Sequence, residues 1–188
     1  MFRSFSTKGT FKGGVHPAES KELSKDKPFE SIPSPKTVYL PLSQHAGKES
    51  KLLVKKGSPV RKGELLAESD GFISAPVHSP VTGTVTKIAK TAHLSGIPKT
   101  VIEIAVSEDS EPLYQEPLDY RTATKEELLQ RIKEAGIVGM GGAAFPAFVK
   151  LSPPPGKKIE KLIINGAECE PYLTRDYRLM LEYTDQLI

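Results

Sequence analysis

The chain has a single cysteine, Cys169, among 188 residues. One thiol permits no internal disulfide. It also cannot by itself hold an iron–sulfur cluster, which needs about four ligands. Long apolar runs are lacking as well: nothing approaches the roughly 18 residues needed to cross a bilayer. The opening MFRSFSTKGTFKGG has no apolar core of a signal peptide, so a cytosolic setting is expected. There is little charge of one sign. The net +3 is dispersed, with Lys and Arg interleaved among Asp and Glu, which excludes a nucleic-acid footprint. The four histidines, His16, His45, His78 and His93, are never three or four residues apart, so no metal site is expected. No Ser-His-Asp or Cys-His arrangement marks a catalytic residue, and Cys169 beside two carboxylates is expected to be a buried neutral thiol.

What is present is ordinary for a globular chain, 38% hydrophobic and 26% charged, which excludes a disordered tail. The 16 prolines and 15 glycines are clustered, which favours short elements joined by defined turns. Residues 1–36, rich in Lys, Ser, Gly and Pro, read as an extended arm packed along a neighbouring domain. Over residues 37–106 the pattern changes to short β-branched runs: TVYLPL, KLLV, GELLAE, GFISAPV, GTVTKIA and TVIEIAV. This predicts a small all-β unit. Residues 107–123 are acidic and proline-bearing, a linker.

A second domain is expected over residues 124–188. Thr124 and Glu127 have capping-box spacing, Leu128, Ile132 and Ala135 share a helical face, and Gly136 can close the helix in a left-handed conformation. Lys161-Leu162-Ile163-Ile164 reads as a buried parallel-type strand, and a last helix starts near Thr174 and runs to Ile188. One strand and a helix cannot cover a sheet on both faces, so the chain is expected to stop inside this domain.

Two segments carry the chemistry. In Gly136-Ile137-Val138-Gly139-Met140-Gly141-Gly142-Ala143-Ala144-Phe145-Pro146, the missing Cβ atoms of Gly139, Gly141 and Gly142 let a ligand approach the backbone. Consecutive N–H groups ahead of a helix suit a phosphate, and Lys150 adds a charge. The alternative is a tight helix–helix turn. In Ile164-Asn165-Gly166-Ala167-Glu168-Cys169-Glu170-Pro171, the loop follows the expected strand, so Asn165, Glu168 and Glu170 face a ligand crevice, ready to accept from ribose hydroxyls, a carboxamide or a flavin edge. A solvated acidic turn is the alternative. Tyr172, Tyr177 and Tyr183 fit either helix packing or a flavin-stacking ring, with packing the simpler account.

Several resemblances join these pieces. The turn glycines Gly57 and Gly63, followed by Ser79-Pro80-Val81-Thr82-Gly83-Thr84-Val85, resemble the biotinyl and lipoyl carrier domains, which are flattened barrel-sandwich hybrids of two similar halves. Those carriers present a lysine on a hairpin; the equivalent stretch here, from Glu68 to Pro76, has none, so no prosthetic arm is expected. The glycine loop with Phe145-Pro146 and Lys150, and the spacing Asn165-x-x-Glu168-x-Glu170-Pro171, resemble the FMN- and NADH-binding domain of the complex I flavoprotein (51 kDa) subunit. Gly13-Gly14-Val15-His16-Pro17, the lysine-free sandwich and residues 164–173 together resemble the C-type subunit of the Rnf electron transport complex.

That resemblance implies a multi-domain chain: a barrel-sandwich hybrid, then the start of an α/β FMN/NADH-binding domain. It implies electron transfer between ferredoxin and NAD(H) through flavin and iron–sulfur centres, coupled to ion translocation, in company with other Rnf subunits and peripheral to the cytoplasmic side of the bacterial inner membrane. Gly139, Gly141, Gly142 and Lys150 would contact FMN, and Asn165, Glu168 and Glu170 would contact FMN or the nicotinamide nucleotide. An aspartate at Gly141 is expected to abolish flavin binding. Ala167 stands where the complex I flavoprotein has an aspartate, so one polar contact is missing. The cysteine motifs for 4Fe-4S clusters are absent from this chain, so alone it is expected to be inactive. Two rival readings are a non-catalytic docking module of a redox complex and the A-type subunit of the sodium-pumping NADH:quinone reductase.

Overall fold

Short β-branched runs punctuated by glycines form the architecture they predict in a computed structural model, which describes residues 17–93, 96–107, 111–140 and 142–187. Among these residues seven strands follow in order: β1 (Thr37–Pro41), β2 (Lys51–Leu52), β3 (Pro59–Val60), β4 (Leu65–Glu68), β5 (Val77–His78), β6 (Gly83–Thr91) and β7 (Lys99–Val106). They form two antiparallel sheets, β1-β7-β6-β3 and β2-β4-β5. Along β7, Ile102 and Ile104 are fully buried while Glu103 between them is not, the period-two signature of a strand with one face on a core. They meet Val60 and Val85 of their own sheet and Leu66, Ala67 and Val77 of the other, with Leu42 alongside. Burying each such aliphatic side chain contributes about 1.5–3 kcal/mol. Gly83 opens β6 close against β7; a Cβ there would sit 2.2 Å from the Ala105 carbonyl oxygen.

The two halves are built alike. Gly57 and Gly63 both have positive φ, +86° and +88°. Each heads a turn that bonds to the other half: Gly57 N–H to Val85 O and Val85 N–H to Ser58 O, Gly63 N–H to Ser79 O and Ser79 N–H to Glu64 O. The lysine-free stretch after β4 is held down. Ser74, fully buried, accepts from Asp70 N–H at 3.0 Å and donates to Lys48 O at 3.0 Å, and its hydroxyl lies 3.2 Å from His45 Nε2. Lys48 closes the tip onto Asp70 at 2.7 Å. The apolar GFISAPV run becomes strand only at its end, because these polar contacts shape the rest.

The expected linker lies against the sandwich: Leu113 N–H donates to Lys62 O at 2.7 Å. The capping box forms at α1 (Lys125–Glu134), where Thr124 Oγ1 accepts from Glu127 N–H and the Glu127 carboxylate accepts from Thr124 N–H. Those hydrogen bonds hold the Glu127 carboxyl below its ordinary value. Leu128 and Ile132 are half-buried as their spacing predicts, whereas Ala135, beyond the last turn, is exposed. A short α2 (Ala147–Lys150) buries Phe148, whose ring meets Phe72 of the sandwich edge-on at 6.0 Å and Lys133 of α1 at 5.4 Å.

The chain folds as two compact units, Pro33–Glu160 as just described, and residues 17–32 with Lys161–Ile188. In the second unit the expected strand over residues 161–164 is not formed. Leu162, Ile163 and Ile164 are 82%, 86% and 71% exposed. An apolar run becomes a strand only when a neighbour pairs its edges, and among the described residues none does. The last helix starts after Thr174 as expected but divides at Tyr183 into α3 (Arg175–Glu182) and α4 (Thr184–Leu187). No helix among the described residues is long and apolar enough to cross a membrane.

Candidate functional site

The glycine loop begins where Gly136, at φ +68°, ends α1; a Cβ there would lie 2.6 Å from the Pro76 carbonyl oxygen. Gly139 N–H donates to Phe145 O at 3.0 Å and Ala147 N–H to Ile137 O at 2.9 Å, which draws the loop into a narrow turn. Ala46 N–H donates to Ala144 O at 3.1 Å, so the sandwich holds the turn from outside. Lys150, at the end of α2, brings its ammonium back over the turn, 2.9 Å from where a Cβ on Gly139 would stand. Gly142 faces open space, with nothing within 4 Å of a Cβ. Gly141 lies outside the described residues.

A cation over Cβ-free main chain fits an anion such as a phosphate. Of the amides around this turn, two are taken by the chain itself. The Gly139 and Ala147 amides are already engaged, and α2 is a single turn. Lys150 adds a positive charge there.

The acidic loop belongs to the second unit. Asn165 Oδ1 accepts from Ala167 N–H at 2.9 Å, an Asx-turn that starts the loop. Glu168 Oε1 accepts from Asp176 N–H at 2.6 Å and Tyr177 N–H at 3.1 Å. Thr174, the N-cap of α3, makes no side-chain cap bond. Glu168 supplies it, placing negative charge at the positive end of the helix. Its other oxygen, Oε2, is buried and has no partner among the described residues. A buried acceptor left unpaired costs about 1–3 kcal/mol, so this oxygen fits a ligand that donates an O–H or N–H. Glu170 is exposed. Cys169 is exposed too, contrary to the expected buried thiol, because Glu168 takes the inward position beside it.

Gly139, Gly142 and Lys150 thus lie together in one unit, and Asn165, Glu168 and Glu170 in the other. Tyr172 is 61% exposed with φ +66°, and Tyr183 packs on Phe29 with ring centres 5.9 Å apart. Of the histidines, His16 lies outside the described residues, His45 is buried on Ser74, and burial pushes His78 below the ordinary imidazole value. No group of three or more His, Cys, Asp or Glu among the described residues is arranged to hold a metal ion. Reasoning from sequence missed Lys21 and Ser24, whose side chains bond the main chain at residues 170–173; partners about 150 residues apart leave no local signal.

Two family models match the chain in tandem. The RnfC barrel sandwich hybrid domain matches residues 9–111, and the Nuo51 FMN-binding domain matches residues 132–188. The C-type subunit of the proton-translocating ferredoxin:NAD(+) oxidoreductase complex of Clostridium ljungdahlii is 44% identical over 183 residues, covering 95% of this chain and 40% of the relative. Its counterpart in the Na(+)-translocating ferredoxin:NAD(+) oxidoreductase complex of Acetobacterium woodii is 38% identical, covering 96% and 41%. The C-type subunit of the ion-translocating oxidoreductase complex of Haemophilus influenzae strain 86-028NP is 41% identical, covering 95% and 27%. The chain therefore spans well under half the length of these relatives. With more than half of its residues matched by the first of the two models, it belongs to the RnfC barrel sandwich hybrid family and continues into a segment that the Nuo51 FMN-binding domain model matches.

Proposed function

We propose that the chain is the sandwich and the flavin-anchoring part of a C-type Rnf subunit that passes electrons between ferredoxin and NAD(H) in an ion-translocating complex. The observation that carries this reading is the tandem of an RnfC-type sandwich and an FMN-binding segment, in relatives that bear that activity in their names. Bound FMN would supply the exchange between two-electron and one-electron carriers. Lys150 neutralises the FMN phosphate over the bare backbone at Gly139 and Gly142, with Gly141 between them in sequence. Asn165, Glu168 and Glu170 present acceptors to the donors of FMN or the nicotinamide nucleotide, Glu168 through its unpaired Oε2. With Cys169 as its sole cysteine, the chain leaves 4Fe-4S clusters to residues elsewhere in the protein. It contacts the other members of the complex and sits peripherally on the cytoplasmic face of the membrane.

The test is FMN titration of the whole apo-protein, read by flavin fluorescence. Saturable binding that Lys150→Met weakens supports the reading. One observation favours a second reading, a docking module in which the glycine loop is a structural turn: Gly139 N–H and Ala144 O are both taken by protein partners. Absence of FMN binding would leave that reading standing.

A further inference from the structure

The arm after Pro17 meets the acidic loop over residues 170–174. Lys21 Nζ donates to Leu173 O at 3.0 Å and to Glu170 O at 3.4 Å. Ser24 Oγ donates to Tyr172 O at 3.0 Å and accepts from Thr174 Oγ1 at 3.0 Å. Tyr172 N–H donates to Glu19 O at 2.8 Å. Arm residues therefore engage main-chain or hydroxyl groups from Glu170 to Thr174, around a tyrosine at φ +66° that an L-residue seldom adopts unless its surroundings hold it there. Farther on, Arg178 of α3 donates to Lys25 O at 3.3 Å, and Phe29 N–H donates to the Glu182 carboxylate at 3.3 Å. The arm is thus tied to α3, the helix whose first-turn amides hold Glu168. Pro17, Glu19 and Lys21 also line a cavity of about 310 Å³ with Glu168, Cys169 and Glu170.

We propose that the arm is a clamp that sets the acidic loop for nucleotide binding, with Lys21 and Ser24 as positioning residues that act through Glu168 and Glu170. The positioning role rests on the reading of that loop as a nucleotide contact. The clamp itself is a property of the chain without ligand. The charge on Lys21 matters because an ammonium shared between two carbonyls bonds more strongly than a neutral donor, and an arginine can keep both bonds.

The experiment compares Lys21→Met, Ser24→Ala and Lys21→Arg with the wild-type whole protein. Hydrogen exchange of residues 170–177 in the apo-protein should quicken about tenfold in Lys21→Met and Ser24→Ala, with the β6 and β7 amides unchanged. In an NADH oxidation assay with an artificial acceptor, KM for NADH should rise about five- to tenfold with kcat unchanged, and Lys21→Arg should restore both readouts. Unchanged exchange at residues 170–177 overturns the clamp. Faster exchange with unchanged KM overturns the positioning role. A wild-type protein that binds neither FMN nor NADH overturns the functional reading and the positioning role with it, while the exchange data alone judge the clamp.

Discussion

Replacing Glu168 separates its two roles, because its oxygens do different work. Glu168→Ala removes the acceptor shared by Asp176 and Tyr177 N–H, the only side-chain cap seen at the start of α3 among the described residues. Loss of a cap costs about 0.5–2 kcal/mol, and loss of its charge at the helix end about 0.3–1 kcal/mol more. Removing the unpaired Oε2 returns part of that, since its burial costs about 1–3 kcal/mol. The opposing terms nearly cancel, so global stability should change by no more than about 2 kcal/mol, while the α3 amides lose protection. Glu168→Gln keeps a carbonyl oxygen for the two amides and replaces Oε2 with a donor. The helix should hold, but a nucleotide donor would then meet an N–H. That mismatch is worth about 1.5–3 kcal/mol, a rise of about 10- to 150-fold in KM for NADH. Exchange at residues 175–177 and steady-state kinetics are the assays. Unchanged α3 exchange in the alanine variant refutes the cap, and an unchanged KM in the glutamine variant refutes Oε2 as a nucleotide acceptor.

Further outcomes follow from other contacts. Gly142→Asp should fold normally, since a Cβ there meets nothing within 4 Å, yet lose FMN affinity about tenfold or more by repulsion of the phosphate; Tm and FMN titration read the two effects separately. Ser74→Ala should cost about 0.5–1.5 kcal/mol in urea unfolding, because the part-buried Asp70 N–H and Lys48 O lose their shared hydroxyl while Lys48 O keeps His45 Nε2 at 2.9 Å. Thr124→Ala should cost about 1 kcal/mol by loss of the capping box, measured in the same way. His78 has its pKa lowered by burial, so the unfolded chain binds its proton more readily: stability should fall as pH drops from the ordinary imidazole range toward the lowered value, and His78→Gln should remove that part of the pH dependence.

Local chemistry was legible and distant chemistry was not. The turn glycines Gly57 and Gly63, the capping box at Thr124 and the left-handed Gly136 each depend on neighbours a few residues away, and each forms as its pattern predicts. The β-branched run TVIEIAV likewise located β7, while the burial of Ile102 and Ile104 emerged only with the fold. The pinned tip around Ser74 could not be read, because His45 and Lys48 reach it from more than twenty residues away. Residues 161–164 misled for a related reason: apolar content marks a strand, but only partners make one. At the candidate site the residue types were legible while their engagements were not. Nothing local says that Gly139 N–H bonds Phe145, that Glu168 caps α3, or that Lys21 and Ser24 hold the loop from the arm.

Hydrogen exchange of the whole protein with and without FMN, followed over residues 137–150, decides whether the turn from Gly139 to Lys150 holds the flavin. Saturable FMN binding should slow exchange in this segment in the wild type and not in Gly142→Asp. Binding that leaves these amides unprotected, or that survives the substitution undiminished, would place the flavin elsewhere.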